Sequence, residues 1–148
     1  RAPCAANLKY LGIALHMYTN DYDGFFPNVN DAVSGSPLVG NWQPLGSQKY
    51  IGDGNSKLWA CPSVAVPLTT PDSSNYRYYG SGRRDDNVSA SLLTVGYDAS
   101  GNHPKNNWMN ALFIDGHVDG AKPDGAMRVT YPIGPTSNAV SAWNLNSF

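Results

Sequence analysis

The sequence has few charged residues and no cluster of one sign. Charged side chains make up 14% of the 148 residues, and the formal net charge is −1; an average globular domain has about 25% charged residues. The longest basic run is Arg83-Arg84, so no basic stripe is present to neutralise a series of phosphates. We therefore do not expect nucleic acid as a partner.

Long apolar runs are also missing. No stretch approaches the roughly 18 to 20 apolar residues that cross a bilayer, and the residues after Arg1 show no signal-peptide pattern. We expect the chain as given to be soluble. Its length fits one domain with a single core, and we predict one domain over residues 1–148.

Catalytic and metal-binding motifs are equally scarce. The histidines, His16, His103 and His117, stand at no ligand spacing such as H-x-x-x-H. The serines lie in no G-x-S-x-G elbow. We therefore predict no enzyme activity, catalytic residue, metal ligand or cofactor, and we expect all three histidines to be exposed polar residues.

Calcium is a separate question, because several loops are rich in carboxylates. These are the loops around Asp21 and Asp23, Asp53, and Asp115 and Asp119. None completes the twelve-residue EF-hand pattern, and Asx turns use the same residue types for backbone hydrogen bonds. A structural calcium near Asp21/Asp23 or Asp115/Asp119 is left open by the sequence.

An amphipathic helix is the first positive signal. Its apolar face is formed by Leu8, Leu11, Leu15, Tyr18 and Tyr22, which recur at helical spacing. We predict a helix over about residues 5–19, with Leu8, Leu11, Leu15 and Tyr18 as its packing face. No capping residue precedes the helix, and we expect it to continue a longer helix upstream.

The rest of the chain predicts loops and short strands. Residues about 20–56 form a long structured loop with one short helical turn, and residues about 57–148 form a β-rich region. Its extended segments are "LWACPS", "NYRYYG", "SASLLTVGYD" with a Gly-Tyr-Asp turn at its end, and "WMNALFI" followed by "HVDG". The fold class is therefore α+β, with one long N-terminal helix on a small antiparallel sheet.

The segment "NALFIDGHVDG" places Asp115, His117 and Asp119 at alternate positions, as a metal site would. Asp115-Gly116 is also the preferred pair for a two-residue type I′ hairpin turn. In a strand after that turn, His117 and Asp119 share one face and Val118 takes the other. We interpret the pattern as a hairpin with a half-exposed strand, in which Asp115 serves the turn.

Several motifs in the same order resemble a known family. They are "CAANLKYLGIALHMY" from Cys4 to Tyr18, then "NDYDGFFP", "WACPS", "NYRYYG" and "ALFIDGHV". Together they resemble the soluble domain of type II secretion pseudopilin-like proteins, in particular a bacterial group with a prepilin-type cleavage signal and a late His…Asp-Gly motif. The resemblance runs from Cys4 to about Gly120. His103 and Asp115 stand further apart than the group's motif has them, and we attribute this to an insertion in "HPKNNWMN".

The resemblance implies a pilin-like fold and a role in assembly. It implies a precursor anchored in the membrane by an N-terminal apolar helix, which a prepilin peptidase trims before the subunit enters a filament. The expected partners are other pilin or pseudopilin subunits and an inner-membrane assembly platform. The expected location is the periplasm, the cell surface or the extracellular space. For a domain outside the cytoplasm, we predict a disulfide between Cys4 and Cys61.

The aromatic residues permit a different class of function. The chain has nine Tyr and four Trp: Trp42, Trp59, Trp108 and Trp143. Aromatic rings can stack on sugars or anchor proteins, so a carbohydrate-binding or adhesive module is the alternative. A coplanar exposed set of rings would favour that alternative, whereas buried rings would favour a scaffold.

Overall fold

The computed structural model describes residues 2–29, 42–81, 83–88, 90–91, 93–98, 102–103, 108–121, 130–132 and 139–141. Two α-helices, α1 (Ala2–Asp21) and α2 (Gln43–Ser47), are followed by a 3₁₀-helix, Asp53–Trp59. The strands are β1 (Thr69–Thr70), β2 (Ser73–Ser74), β3 (Tyr76–Tyr78), β4 (Thr94–Asp98), β5 (Met109–Phe113), β6 (Val118–Ala121), β7 (Thr130–Pro132) and β8 (Ala139–Ser141). The strands β3-β4-β5-β6 form an antiparallel sheet in chain order, and β1-β2 and β7-β8 form separate pairs. The predicted α+β class is confirmed.

Helix α1 is longer than the predicted range of about 5–19 and starts at Ala2. Pro3 lies in its first turn, where a missing N–H costs no helical hydrogen bond. At the other end, Asp23 and Gly24 have positive φ values of 56° and 83°. The Gly24 N–H donates to the Thr19 carbonyl at 2.8 Å, which closes the last turn.

The predicted packing face of α1 lies in the core. Leu8, Leu11 and Leu15 are at most 1% exposed, and Tyr18 is 9% exposed. Burying each leucine stabilises the fold by about 1.5–3 kcal/mol. Tyr22, which the sequence placed on this face, is 41% exposed because it lies beyond the helix end, although its ring stacks on Tyr18.

A glycine lets α1 approach the sheet closely. A Cβ atom on Gly12 would lie 2.8 Å from Cδ1 of Leu112 in β5, and Gly12 and Leu112 are both buried. The helix therefore packs on β5, and every residue of β4 and β5 is buried. These two strands consequently lack the alternation of exposed and buried residues that a half-exposed strand shows.

Two local predictions in the β-rich region are wrong. In "LWACPS", Leu58 and Trp59 end the 3₁₀-helix, and no strand forms there. Gly96, Tyr97 and Asp98 continue β4, where a turn was predicted, because all three pair with β3 and the first two also pair with β5. Strand pairing outweighs the turn preference of Gly and Asp. In the predicted loop region, α2 supplies the short helical turn, and residues 30–41 lie outside the described part.

Candidate functional site: the buried polar cluster beside the disulfide

The predicted disulfide between Cys4 and Cys61 is present. Cys4 lies in the first turn of α1, and Cys61 follows the 3₁₀-helix after one residue. Both cysteines are at most 1% exposed, and 57 positions separate them in sequence. The disulfide therefore ties the start of α1 to an irregular segment that belongs to no helix or strand.

Three asparagines supply the hydrogen bonds around this segment. Oδ1 of Asn75 accepts from the backbone N–H of Cys61 at 3.2 Å and of Leu68 at 2.9 Å. Nδ2 of Asn102 donates to the Asn75 carbonyl at 2.6 Å. Nδ2 of Asn7, on α1, donates to the Ala60 carbonyl at 3.0 Å. Side-chain amides thus replace the backbone ladder that this segment lacks.

The hydroxyl of Tyr76 closes the network on the sheet side. It accepts a hydrogen bond from Nδ2 of Asn7 at 3.2 Å. Burial raises the pKa of Tyr76 well above its ordinary value, and the hydrogen bond from Asn7 opposes that rise only in part. Tyr76 therefore stays neutral and acts as a polar element of the core.

The second part of the cluster is a buried pair of ionisable side chains. Nε2 of His103 lies 2.8 Å from Oδ2 of Asp98, and the two side chains are 2% and 0% exposed. The same Oδ2 accepts the backbone N–H of Asn110 at 2.8 Å and its Nδ2 at 2.9 Å. Oδ1 of Asp98 is buried without a hydrogen-bond partner.

The prediction that His103 is exposed is therefore wrong. Asp98, the last residue of β4, contacts the His103 ring. Asn110, the second residue of β5, donates to the same carboxylate. A search for ligand spacings does not find such a pair, because the contact depends on how β4 and β5 align. A carboxylate five residues before His103 is the only local signal.

The disulfide and the histidine belong to one cluster. The sulfurs of Cys4 and Cys61 and a ring nitrogen of His103 all lie within 4.8 Å of one another. Among the residues that the structure describes, this is the single group of three or more His, Cys, Asp or Glu side chains with such spacing. Asp98 fixes the orientation of the imidazole beside the two sulfurs.

The Asp115-Gly116 turn joins β5 to β6, but its predicted type I′ geometry is wrong. The Phe113 N–H donates to the His117 carbonyl at 3.0 Å, and the Gly116 N–H donates to the Phe113 carbonyl at 2.9 Å. Gly116 has φ of 90°, whereas Asp115 has no positive φ. The loop therefore has three residues, Ile114 to Gly116, and resembles a turn with a G1 bulge.

Asp115 and His117 interact with each other within this turn. The backbone N–H of His117 donates to Oδ1 of Asp115 at 3.1 Å, as in an Asx turn, and Nδ1 of His117 contacts the same oxygen. Partial burial would raise the pKa of Asp115, but the hydrogen bonds from His117 hold it below its ordinary value. The His117 ring also stacks on Phe113.

His16 lies on the helix beside this turn. Its Nε2 is 2.7 Å from the carbonyl oxygen of Ile114, and its side chain is half-buried. His16 was predicted to be an exposed polar residue, and this prediction is wrong because the side chain is half-buried. The contact links α1 to the hairpin loop.

Three other carboxylates of the candidate calcium loops have partners within the chain. Oδ2 of Asp21 accepts the Tyr50 hydroxyl at 2.5 Å, Asp53 pairs with Lys49 at 2.8 Å, and Oδ1 of Asp119 accepts the Gly120 N–H at 2.8 Å. Asp119 therefore accepts a local backbone hydrogen bond of the kind that loop carboxylates often accept, whereas the donor to Asp21 lies 29 positions away.

Most of the described aromatic rings are buried. Trp42, Trp59, Tyr76, Tyr78, Tyr79 and Tyr97 are all at most 3% exposed. Nε1 of Trp42 donates to the Tyr76 carbonyl at 2.9 Å, and the Tyr78 hydroxyl donates to the Pro27 carbonyl at 2.5 Å. Trp143 lies outside the described residues, and the aromatic rings with large exposure are Tyr10, Tyr22 and Phe25.

Helix α1 carries a second apolar face on the side that does not contact the sheet. Tyr10, Ile13 and Met17 recur at intervals of three and four residues and are 58%, 54% and 49% exposed. We call these three residues the outer face. A groove lies on each side of it: one runs toward His16 and Gly116, and the other toward Tyr50 and Leu58.

Fold and site together define an α+β domain in which a disulfide and a buried polar cluster fasten one long helix to a four-stranded antiparallel sheet. Comparison of the chain with protein-family models, with curated proteins and with solved structures finds no match. Within the described ranges, no helix has the length and apolar character needed to cross a membrane.

Proposed function

We propose that this domain is the globular part of a non-catalytic structural subunit of a type II secretion pseudopilus or a related type IV pilus-like filament. The observation that carries the proposal is the outer face of α1. One face of this helix packs on the sheet through Leu8, Leu11 and Leu15, while the opposite face exposes Tyr10, Ile13 and Met17. A helix that is apolar on both sides suits a subunit packed between its own core and neighbouring subunits.

The proposal includes the pilin-like features that the sequence resemblance implies. An apolar helix upstream of Ala2 would anchor the precursor in the membrane, and a prepilin peptidase would trim it. The partners would be other pilin or pseudopilin subunits, which place their own helices against the outer face, and the inner-membrane assembly platform. The assembled subunit would lie in the periplasm or at the cell surface.

The alternative function, a carbohydrate-binding or adhesive module, has less support. Such a module needs a platform of exposed rings, and both Trp42 and Trp59 belong to the core. Burial of these rings supports the scaffold role. Tyr10, the most exposed aromatic side chain described, lies on the outer face and is part of the assembly surface in our proposal.

The test uses a protein that carries an upstream apolar helix with a prepilin cleavage site, expressed with its peptidase and assembly platform. We expect membrane insertion, cleavage and filaments visible by electron microscopy. Ile13→Asp should abolish the filaments, because a carboxylate would have to be buried between subunits. The matched control is Val88→Asp, since Val88 is 98% exposed and lies outside α1.

The isolated chain from Arg1 should sediment as a monomer, because the upstream helices supply most of the buried contact in such a filament. The thermal midpoint of the isolated Ile13→Asp domain should match that of the unsubstituted domain, which separates assembly from folding. A processed protein that never enters a filament, filaments that persist with Ile13→Asp, or a large stable oligomer of the isolated chain would each count against the proposal.

A further inference from the structure

The disulfide places its two sulfurs beside the imidazole of His103. The sulfurs of Cys4 and Cys61 and a ring nitrogen of His103 lie within 4.8 Å of one another, and all three residues are buried. Two thiolates and one imidazole form a ligand set that binds Zn²⁺ and other thiophilic ions. We propose that, after reduction of the disulfide, Cys4, Cys61 and His103 form a binding site for a thiophilic metal ion such as Zn²⁺.

The environment of His103 supports a ligand role. Its Nε2 faces Oδ2 of Asp98 at 2.8 Å, which leaves Nδ1 as the nitrogen for a metal. A metal-bound histidine commonly has its other ring nitrogen on a carboxylate, which fixes the ring and increases its basicity. Oδ1 of Asp98 is also buried without a partner, so the cluster keeps an unsatisfied acceptor.

A fourth ligand and an entry path are available at the same place. The hydroxyl oxygen of Ser63 lies 3.8 Å from the Cys4 sulfur, and the carbonyl oxygen of Asn102 lies 3.9 Å from the Cys61 sulfur. A water held by these oxygens can complete a tetrahedral zinc site with three protein ligands. Ser63 is exposed, so a metal ion can reach the site from solvent past this side chain.

The disulfide and the metal are mutually exclusive, because both use the same two sulfurs. Reduction requires a dithiol or a phosphine. The disulfide gains two electrons and two protons: a dithiol supplies both and becomes a disulfide, whereas a phosphine becomes its oxide with water supplying the oxygen and the two protons. Metal binding then releases the two thiol protons, since the ligands are thiolates. The cluster thus holds the start of α1 by a covalent bond when oxidised and by a coordinated ion when reduced.

The test is a Co²⁺ titration of the whole chain, reduced with a phosphine under anaerobic conditions and followed by visible and near-ultraviolet absorption. We expect one equivalent of Co²⁺ to give thiolate-to-cobalt charge-transfer bands and the visible bands of tetrahedral cobalt, and Zn²⁺ to displace it. The oxidised chain should give neither. Near-ultraviolet circular dichroism should show that the metal-bound reduced chain has native packing.

Variants separate this site from adventitious binding. His103→Gln should weaken Co²⁺ binding by at least about 10-fold, and Asp98→Asn should weaken it by about 10- to 100-fold through the orientation of His103. His16→Gln and His117→Gln are the matched controls and should leave the affinity unchanged. The oxidised form of each variant should first be shown to be folded by thermal unfolding.

Several outcomes would overturn the proposal. They are a reduced, folded chain that shows no charge-transfer band, a His103→Gln variant with unchanged affinity, or equal binding by the oxidised chain. If the reduced chain is unfolded without metal and one equivalent of Zn²⁺ or Co²⁺ does not restore native circular dichroism, the proposal also fails. If the metal restores folding of the unsubstituted chain but not of His103→Gln, the proposal is supported.

Discussion

His103 and Asp98 form a buried contact, with Nε2 of the histidine 2.8 Å from Oδ2 of the aspartate. The contact joins the segment after β4 to the end of that strand, and Asn110 extends it to β5. It lies beside the disulfide, so the start of α1 and the centre of the sheet meet at one buried polar cluster. Because the contact is buried, solvent screens it little, and its loss should lower the free energy of unfolding.

Removing the Asp98 carboxylate should strongly destabilise the fold. Asp98→Ala leaves His103 and Asn110 without their shared acceptor, and each buried polar group left unsatisfied costs about 1–3 kcal/mol. Asp98→Asn should cost less, because an amide oxygen can still accept hydrogen bonds. Urea unfolding measures both values. Asp72→Ala, at an exposed position, is the control, and a loss below about 1 kcal/mol for Asp98→Ala would contradict the expectation.

Loss of the disulfide should be comparably costly. A closed loop of 57 positions stabilises the folded state by about 4 kcal/mol in the chain-entropy model. We expect Cys4→Ser/Cys61→Ser to lose about this amount in urea unfolding at neutral pH without added metal. For protein exported to the periplasm, intact-mass analysis after alkylation should show no alkylated thiol without reductant and two after reduction. Two alkylated thiols without reductant would disprove the pairing in solution.

The hairpin turn should depend on Gly116 far more than on His117. Gly116 has φ of 90°, and a residue with a side chain in that conformation costs about 1–3 kcal/mol. Gly116→Val should therefore lower the unfolding free energy by at least this amount. Gly54→Val is the matched control, because a Cβ at Gly54 meets no atom within 4 Å.

His117→Ala provides the contrast in the same turn. It removes a ring that stacks on Phe113 and contacts Asp115, but the side chain is half-exposed, so we expect a loss below about 1 kcal/mol. Thermal or urea unfolding checks this value. If His117→Ala instead abolished metal binding or a hydrolytic activity, our structural interpretation of the segment would be wrong.

Tyr50 should ionise at unusually high pH. The pKa of Tyr50 is raised to about 12. The largest cause is the hydrogen bond from its hydroxyl to Asp21, and partial burial and the charge of Asp21 contribute less. Because the folded-state pKa exceeds the unfolded value of about 10, the contribution of Tyr50 to stability is fully present below pH of about 10 and is lost as the pH rises through about 12.

Asp21→Asn tests the cause of this shift. The variant should move the pKa of Tyr50 toward its ordinary value, because the amide carries no charge and is a weaker acceptor. Ultraviolet titration of tyrosinate, with Tyr50→Phe subtracted, measures the change. Asp53→Asn is the control, since Asp53 pairs with Lys49. An unchanged Tyr50 titration in Asp21→Asn would assign the shift to burial instead.

Local patterns in the sequence determined the elements whose residues interact with near neighbours. The leucine periodicity of α1 predicted its buried face because a helix places residues three and four apart on one side. The hairpin of β5 and β6 was predicted because its strands are adjacent in sequence. With two cysteines in the chain, an intramolecular disulfide had a single possible pairing.

Only the tertiary structure decided the features that combine separate segments. The position of His103 beside Asp98 and the sulfurs depends on how β4, β5 and α1 come together, and no spacing within the sequence encodes that arrangement. The Gly-Tyr-Asp segment became part of β4 because β3 pairs with all three residues and β5 with the first two. The turn before β6 took three residues where two were predicted, since Asp-Gly suits more than one loop length and the register of β5 with β6 selects among them.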